Sequence, residues 1–268
     1  MRPVLLRLEY GAELIEIKAY STCLVLAALI AVGMGWFSAV RRGLHGRAVL
    51  VCLLLVTGAA FLGARMGYRA LQQNLYAELA VGYEPGLTGL SLSGGLLLAA
   101  AAGGIACRLL RLDPWNVADA VAPGAGLAIA AARIGCLLNG CCFGEVTALP
   151  WGIRYPPGSA AFLHQAANRP QIIFFGPDPA HPVPVYELVA ALAATLIAIV
   201  ARKRARPGVA ALAAATLFLT CRCGIGWCRP LPLGALWLDA GLLLAAGILL
   251  SGRELPFGWY KRAPQVRC

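Results

Sequence analysis

The sequence predicts an all-α integral membrane protein. The expected fold is a bundle of about seven transmembrane helices, with the N-terminus outside, the C-terminus cytoplasmic and a long outer loop between spans four and five. Three observations predict this. Hydrophobic residues make up 60% of the chain and charged residues only 13%, against about 25% charged in soluble domains, and the mean hydropathy is +0.73. Apolar runs near the roughly 20 residues needed to cross a bilayer recur along the chain. Basic residues gather in alternate connections.

The N-terminal stretch from Met1 to Lys18 carries Arg2, Arg7, Glu9, Glu13, Glu16 and Lys18 ahead of the first apolar run. A cleavable signal peptide has the opposite order, a basic start followed closely by a short apolar region, so the first span is expected to be retained. The seven spans are placed at 19–39, 48–68, 88–107, 116–138, 184–201, 209–228 and 233–251. Spans three and four are rich in Gly and Ala, which suits close helix packing in lipid, and Pro123 inside span four is tolerated in a bundle. One such bundle uses all 268 residues, so a single domain over 1–268 is expected.

Orientation follows from the connections. Arg41, Arg42 and Arg47 lie between spans one and two, and Arg108 and Arg111 between three and four. Arg202, Lys203, Arg204 and Arg206 lie between five and six, and Arg253, Lys261, Arg262 and Arg267 follow span seven. The alternate connections hold little positive charge, with Arg69 against Glu78 and Glu84 in one and Arg229 alone in another. Lys and Arg mark the cytoplasmic side. The net charge of +11 therefore reflects membrane topology, and with no basic face or recognition helix legible, nucleic-acid binding is excluded.

This topology brings the remaining polar residues to one membrane level, near the outer leaflet. Tyr20 opens span one, Arg65 and Tyr68 close span two, and Ser93, Gly94 and Gly95 lie early in span three. Arg133 to Gly144 close span four, Tyr186 and Glu187 open span five, and Arg222 and Arg229 close span six. Each has a plain reading: arginines snorkel, tyrosines populate the interfacial belt, and glycines pack helices. An arginine within a span costs a few kcal/mol unless something anionic or polar receives it, so Arg133 and Arg222, the deeper two, are expected to have anionic partners.

The outer connection from Cys141 to Pro184 contains Trp151, Phe162, Ile172, Ile173, Phe174 and Phe175. That apolar content predicts a cap or an interfacial segment rather than disorder. His164 and His181 are candidate general bases by residue type, and a surface histidine without a role is the plainer reading of His164. Of the ten cysteines, Cys23, Cys52, Cys107 and Cys268 are scattered and read as small filler. The others form two groups at outer span ends, Cys136, Cys141, Cys142 and Cys221, Cys223, Cys228. Disulfides between the groups, filler and a reactive or metal-binding thiol centre at Cys136, Cys141 and Cys142 all stay open. The spacing matches no standard zinc pattern, and no metal or other cofactor is assigned from it.

These residues, in order, resemble the prolipoprotein diacylglyceryl transferases of the bacterial inner membrane over nearly the whole chain. The resemblance rests on Ile17-Lys18-Ala19-Tyr20, on Gly63-Ala64-Arg65-Met66-Gly67-Tyr68, and on Asp119-Ala120-Val121-Ala122-Pro123 followed by Arg133-Ile134-Gly135 and Asn139-Gly140. It continues in Pro150-Trp151-Gly152, in His181-Pro182 with Tyr186-Glu187, and in Arg222 and Arg229 seven apart. The resemblance implies a multi-pass, monomeric inner-membrane enzyme. Its partners would be phosphatidylglycerol and the lipobox segment of a prolipoprotein, the diacylglyceryl group passing to the lipobox cysteine thiol. It also implies a catalytic set of Arg133, Arg222 and Ser93, the arginines stabilising charge on the leaving phosphate. Substrate binding would fall to Tyr20, Arg65, Tyr68, Gly94, Gly95, Asn139, Gly144, Tyr186, Glu187 and Arg229.

The sequence departs from the family pattern in the same region. Ser93 stands where the family has a histidine, Cys136 and Cys141 stand at the asparagine and glutamate of the signature, and Gly226 replaces the glutamate between the two arginines. Two other functions fit the same residues: a related membrane enzyme that uses its own cysteines on a different acceptor, and a non-catalytic phospholipid-binding relative.

Overall fold

The computed structural model describes residues 4–10, 13–71, 90–202, 206–230 and 233–254. Lys203, Arg204, Lys261, Arg262, Arg267, Glu78, Glu84 and Cys268, all invoked above, lie outside the described residues. The helices are α1 (Ala19–Val40), α2 (Gly46–Leu71), α3 (Leu92–Leu109), α4 (Pro114–Asn139), α5 (Ala160–Asn168), α6 (Ile172–Phe175), α7 (Val183–Ala201), α8 (Val209–Gly226) and α9 (Leu233–Glu254). Six of them, α1 to α4, α7 and α8, are long and apolar enough to cross a membrane, and α9 carries a shorter apolar stretch, Trp237–Gly252. The helical membrane bundle is as expected, and most helix ends fall within a few residues of the predicted spans.

One addition precedes the bundle. β1 (Val4–Tyr10) and β2 (Glu13–Lys18) form an antiparallel hairpin with Arg7 opposite Glu16 and Leu8 opposite Ile15. The cue was alternation: Leu6, Leu8 and Tyr10 interleave with Arg7 and Glu9, and Ile15 and Ile17 with Glu16 and Lys18, the period-2 pattern of a strand.

Small residues set the helix contacts. A β-carbon on Gly63 of α2 would lie 2.5 Å from the Gly94 carbonyl oxygen of α3, and one on Gly95 would lie 3.1 Å from the Ala60 carbonyl oxygen. Gly94 and Gly95 therefore bring the two backbones together, as small residues do where lipid supplies no hydrophobic drive between helices. The buried core between α4, α7 and α8 is built mostly of alanine, from Ala130, Ala190, Ala191, Ala194, Ala198 and Ala214 with Phe218. At the end away from the outer loop, buried Asp119 of α4 accepts from the Gly208 and Ala211 amides at 2.8 and 2.9 Å. It caps the N-terminal end of α8, whose first amides have no partner within their own helix.

The connection between α4 and α7 is ordered around its own small core of Phe143, Tyr155, Ala160, Ala161 and Ala180. Ile153 and Val146 bridge to Ala180. Phe174 and Phe175 on α6 are exposed, which agrees with an interfacial segment.

Candidate functional site

The alternation of helix direction places the N-terminal ends of α1, α3, α7 and α9 beside the C-terminal ends of α2, α4 and α8. At this level Glu187, one turn into α7 and fully buried, carries the centre of a charge network. Its Oε1 accepts from Arg222 Nη1 of α8 and from Arg229 Nη1 at 3.2 Å. Its Oε2 stands 2.8 Å from Arg133 Nε of α4. Arg222 Nε lies 3.0 Å from Asp239 Oδ2 of α9, and Ser93 Oγ of α3 donates to Asp239 Oδ1 at 2.5 Å. The Arg133 and Arg222 Nε–H groups point off their carboxylates, so these two are charge contacts rather than aligned hydrogen bonds.

Burying such charges is costly, and removing one partner leaves an uncompensated ion worth about 3–5 kcal/mol. The network draws on side chains of five helices, α3, α4, α7, α8 and α9, so it also fixes how their ends meet. The expectation of anionic partners for Arg133 and Arg222 is met by Glu187 and Asp239. Arg222 lies between both carboxylates, whereas Arg133 faces only Glu187 and turns its other side to sulfur.

That sulfur comes from the turn that ends α4. Gly140 adopts φ 70, the Cys141 amide donates to the Cys136 carbonyl at 3.2 Å and the Gly140 amide to that of Leu137 at 3.4 Å. This is a Schellman termination, for which glycine at the left-handed position is favoured. Cys142 follows, also left-handed at φ 57. The turn brings the Cys136, Cys141 and Cys142 sulfurs within 4.8 Å of one another. Arg133 Nη1 donates to the Cys136 sulfur at 3.7 Å and the Cys142 sulfur at 3.6 Å. Buried Tyr20 of α1 packs against Cys136 and Cys141, and α1 comes this close because Gly135 has no β-carbon to meet Cys23.

Hydrogen bonds from Cys136 and Cys141 hold the Cys142 thiol well below its ordinary range, and Arg133 and Arg229 act the same way against burial. Hydrogen bonding to Cys136 and Cys142, then burial, pushes Cys141 well above it. A thiolate beside a guanidinium is the reactive form of cysteine. The nine described cysteines are all free, so no disulfide joins the two groups among them.

The other predicted residues divide by position. Tyr186 accepts from Trp151 Nε1 at 2.8 Å and lies 3.3 Å from His181 Nδ1; it ties the outer loop to α7. Gly144 is a crossing point, where a β-carbon would lie 2.6 Å from the Cys228 carbonyl oxygen and the Glu145 amide donates to that carbonyl at 2.8 Å. Asn139 is half-buried at the end of α4 beside the thiols, Arg65 is half-buried and Tyr68 buried at the end of α2. His164 packs on Phe143 in the loop core, 5.2 Å between ring centroids, and burial lowers its pKa.

The residue that sequence reasoning missed is Asp239. Its signal was plain, a lone carboxylate in the run from Leu233 to Gly252, and an ionisable residue within a span marks a functional site by default.

Comparison with known proteins follows the same outline. A phosphatidylglycerol–prolipoprotein diacylglyceryl transferase of Rhodopirellula baltica is 28% identical over 162 residues, 56% of this chain and 32% of that protein. One from Leifsonia xyli is 31% identical over 158 residues, 54% of this chain and 47% of its own length. The chain thus spans about a third to a half of these two relatives. A third, from Chromohalobacter salexigens, is 28% identical over 245 residues, 87% of this chain and 85% of that protein. The family model described as prolipoprotein diacylglyceryl transferase matches residues 4–254. That match takes in every helix that contributes to the Glu187 network, and the chain belongs to the prolipoprotein diacylglyceryl transferase family.

Proposed function

We propose that this chain transfers the diacylglyceryl group of phosphatidylglycerol to the lipobox cysteine thiol of a prolipoprotein, releasing glycerol phosphate. It works as a monomeric single domain of the bacterial inner membrane, with the Glu187 end of the bundle at the outer leaflet. The reading draws its substrates from the names of the relatives. One observation carries it: a single buried carboxylate, Glu187, orients Arg133, Arg222 and Arg229, at the end of the bundle that this reading assigns to the outer leaflet. Guanidinium donors held in a water-poor site stabilise the charge that develops on a leaving phosphate without reorganising. Arg133 is assigned that role because Arg222 is enclosed by two carboxylates. Tyr20 lies beside Arg133 and Asn139 ends the same helix, and both face the lipid head; Glu187, Asp239 and Ser93 position the arginines.

The test is reconstitution with phosphatidylglycerol and a lipobox peptide. The peptide gains the mass of one diacylglyceryl group with the unaltered chain and not with Arg133→Ala. No gain with the unaltered chain contradicts the transferase reading, and equal gain with both removes the role of Arg133.

A further inference from the structure

We propose that Cys136, Cys141 and Cys142 form a three-thiolate site for a divalent thiophilic cation of the zinc class, whose fourth ligand is the acceptor thiol. The proposal rests on the diacylglyceryl-transfer reading for the identity of that acceptor. Three sulfurs within 4.8 Å of one another are close to what such an ion needs: with metal–sulfur bonds of about 2.3 Å, tetrahedral geometry sets sulfurs roughly 3.8 Å apart. The chain adopts a left-handed backbone at Cys142, φ 57, to aim the third sulfur at the other two. A residue other than glycine held there costs of order 1–3 kcal/mol, and such strain collects at functional sites.

Charge and access point the same way. Three thiolates with a divalent ion sum to one negative charge, and Arg133, whose Nη1 reaches two of the sulfurs, brings the sum to zero. Donors in that outer position commonly tune metal affinity 10–100-fold. Cys136 and Cys141 are buried and Cys142 is half-buried, so the Cys142 side is where a fourth ligand would reach the site. Three protein ligands with an open fourth position distinguish a working metal site from a closed structural one.

The site also needs what the metal supplies. Both carboxylates of the network are held by arginines, and Ser93 donates to Asp239, so none of the three is placed to take a proton from an acceptor thiol. Binding to the ion does this directly, because a coordinated thiol loses its proton, here to water. The bound thiolate sulfur attacks the glyceryl carbon attached to phosphate. The carbon–sulfur bond forms, the carbon–oxygen bond breaks with its electrons going to glycerol phosphate, and the neutral thioether, a weaker ligand, leaves.

Cobalt(II) titration of the purified full chain in detergent tests this. A sulfur-to-metal charge-transfer band saturating at one equivalent is expected. It should be lost in the triple Cys→Ser variant, weakened in Cys142→Ser and shifted to about 10–100-fold weaker binding in Arg133→Gln. A lipobox peptide should perturb the cobalt bands and its Cys→Ser counterpart should not. No saturable band in the unaltered chain overturns the site, and bands indifferent to the peptide overturn the fourth-ligand role. Diacylglyceryl transfer that persists in metal-depleted chain overturns the proposal while leaving the transferase reading intact. Peptide-sensitive bands without any transfer support the site and overturn the transferase reading.

Discussion

The two ends of the bundle carry the same residue type to opposite effect. At the Glu187 end, Arg133 and Arg222 are buried and face carboxylates from other helices. At the other end Arg41, Arg42 and Arg202 are exposed around a cavity of about 600 Å³. Arg41 lies over the Phe37 ring at 4.4 Å, and Arg202 donates to Ser38 Oγ at 3.2 Å. The buried carboxylate there, Asp119, serves backbone amides. An arginine count alone therefore does not tell the two ends apart. What separates the two is burial against side chains that the rest of the chain must deliver.

The sharpest way to break this contrast is Glu187→Gln, which leaves three guanidiniums around a neutral amide. The expected cost is about 3–5 kcal/mol, read as a large drop in the melting temperature of the detergent-solubilised chain; an unchanged melt contradicts the network. Gly63→Ala comes next. Its β-carbon meets the Gly94 carbonyl and the Leu98 side chain, and overpacking of this kind costs about 1–3 kcal/mol, measurable in the same melt.

At the other end the effects are smaller and should leave transfer intact. Asp119→Ala removes a helix-end acceptor, at about 1 kcal/mol, and the expected result is a modestly lower melt with an unaltered transfer rate. Arg42→Gln should shift stability by no more than about 0.5 kcal/mol. A loss of transfer on changing Arg42 alone would show that the two ends are not separable.

Most of the bundle was legible because lipid imposes length and composition on a span, so α1, α4, α7 and α8 could be bounded from hydropathy alone. The level of the site was legible as well, since alternate spans must bring Tyr20, Arg133, Glu187 and Arg222 to one side. Pairing was not. Nothing in the spacing tells that Glu187 takes three arginines, or that Arg222 also faces Asp239 of α9, because these contacts depend on helix rotation. The three cysteines stood together in the sequence, but the meeting of their sulfurs was not legible, for a related reason. The sulfurs converge through left-handed turns at Gly140 and Cys142, which the spacing of a metal motif does not encode. The hairpin of β1 and β2 has a visible alternation in the sequence, but its charged residues mask it as a polar lead-in to the first span.

The most direct measurement is the rate of diacylglyceryl transfer to a lipobox peptide from phosphatidylglycerol vesicles, compared between Arg133→Ala and Arg202→Ala. Loss of a donor that stabilises charge in the transition state predicts a fall of about 100- to 1,000-fold for Arg133→Ala and none for Arg202→Ala. Equal rates in the two variants would contradict the assignment of chemistry to the Glu187 end.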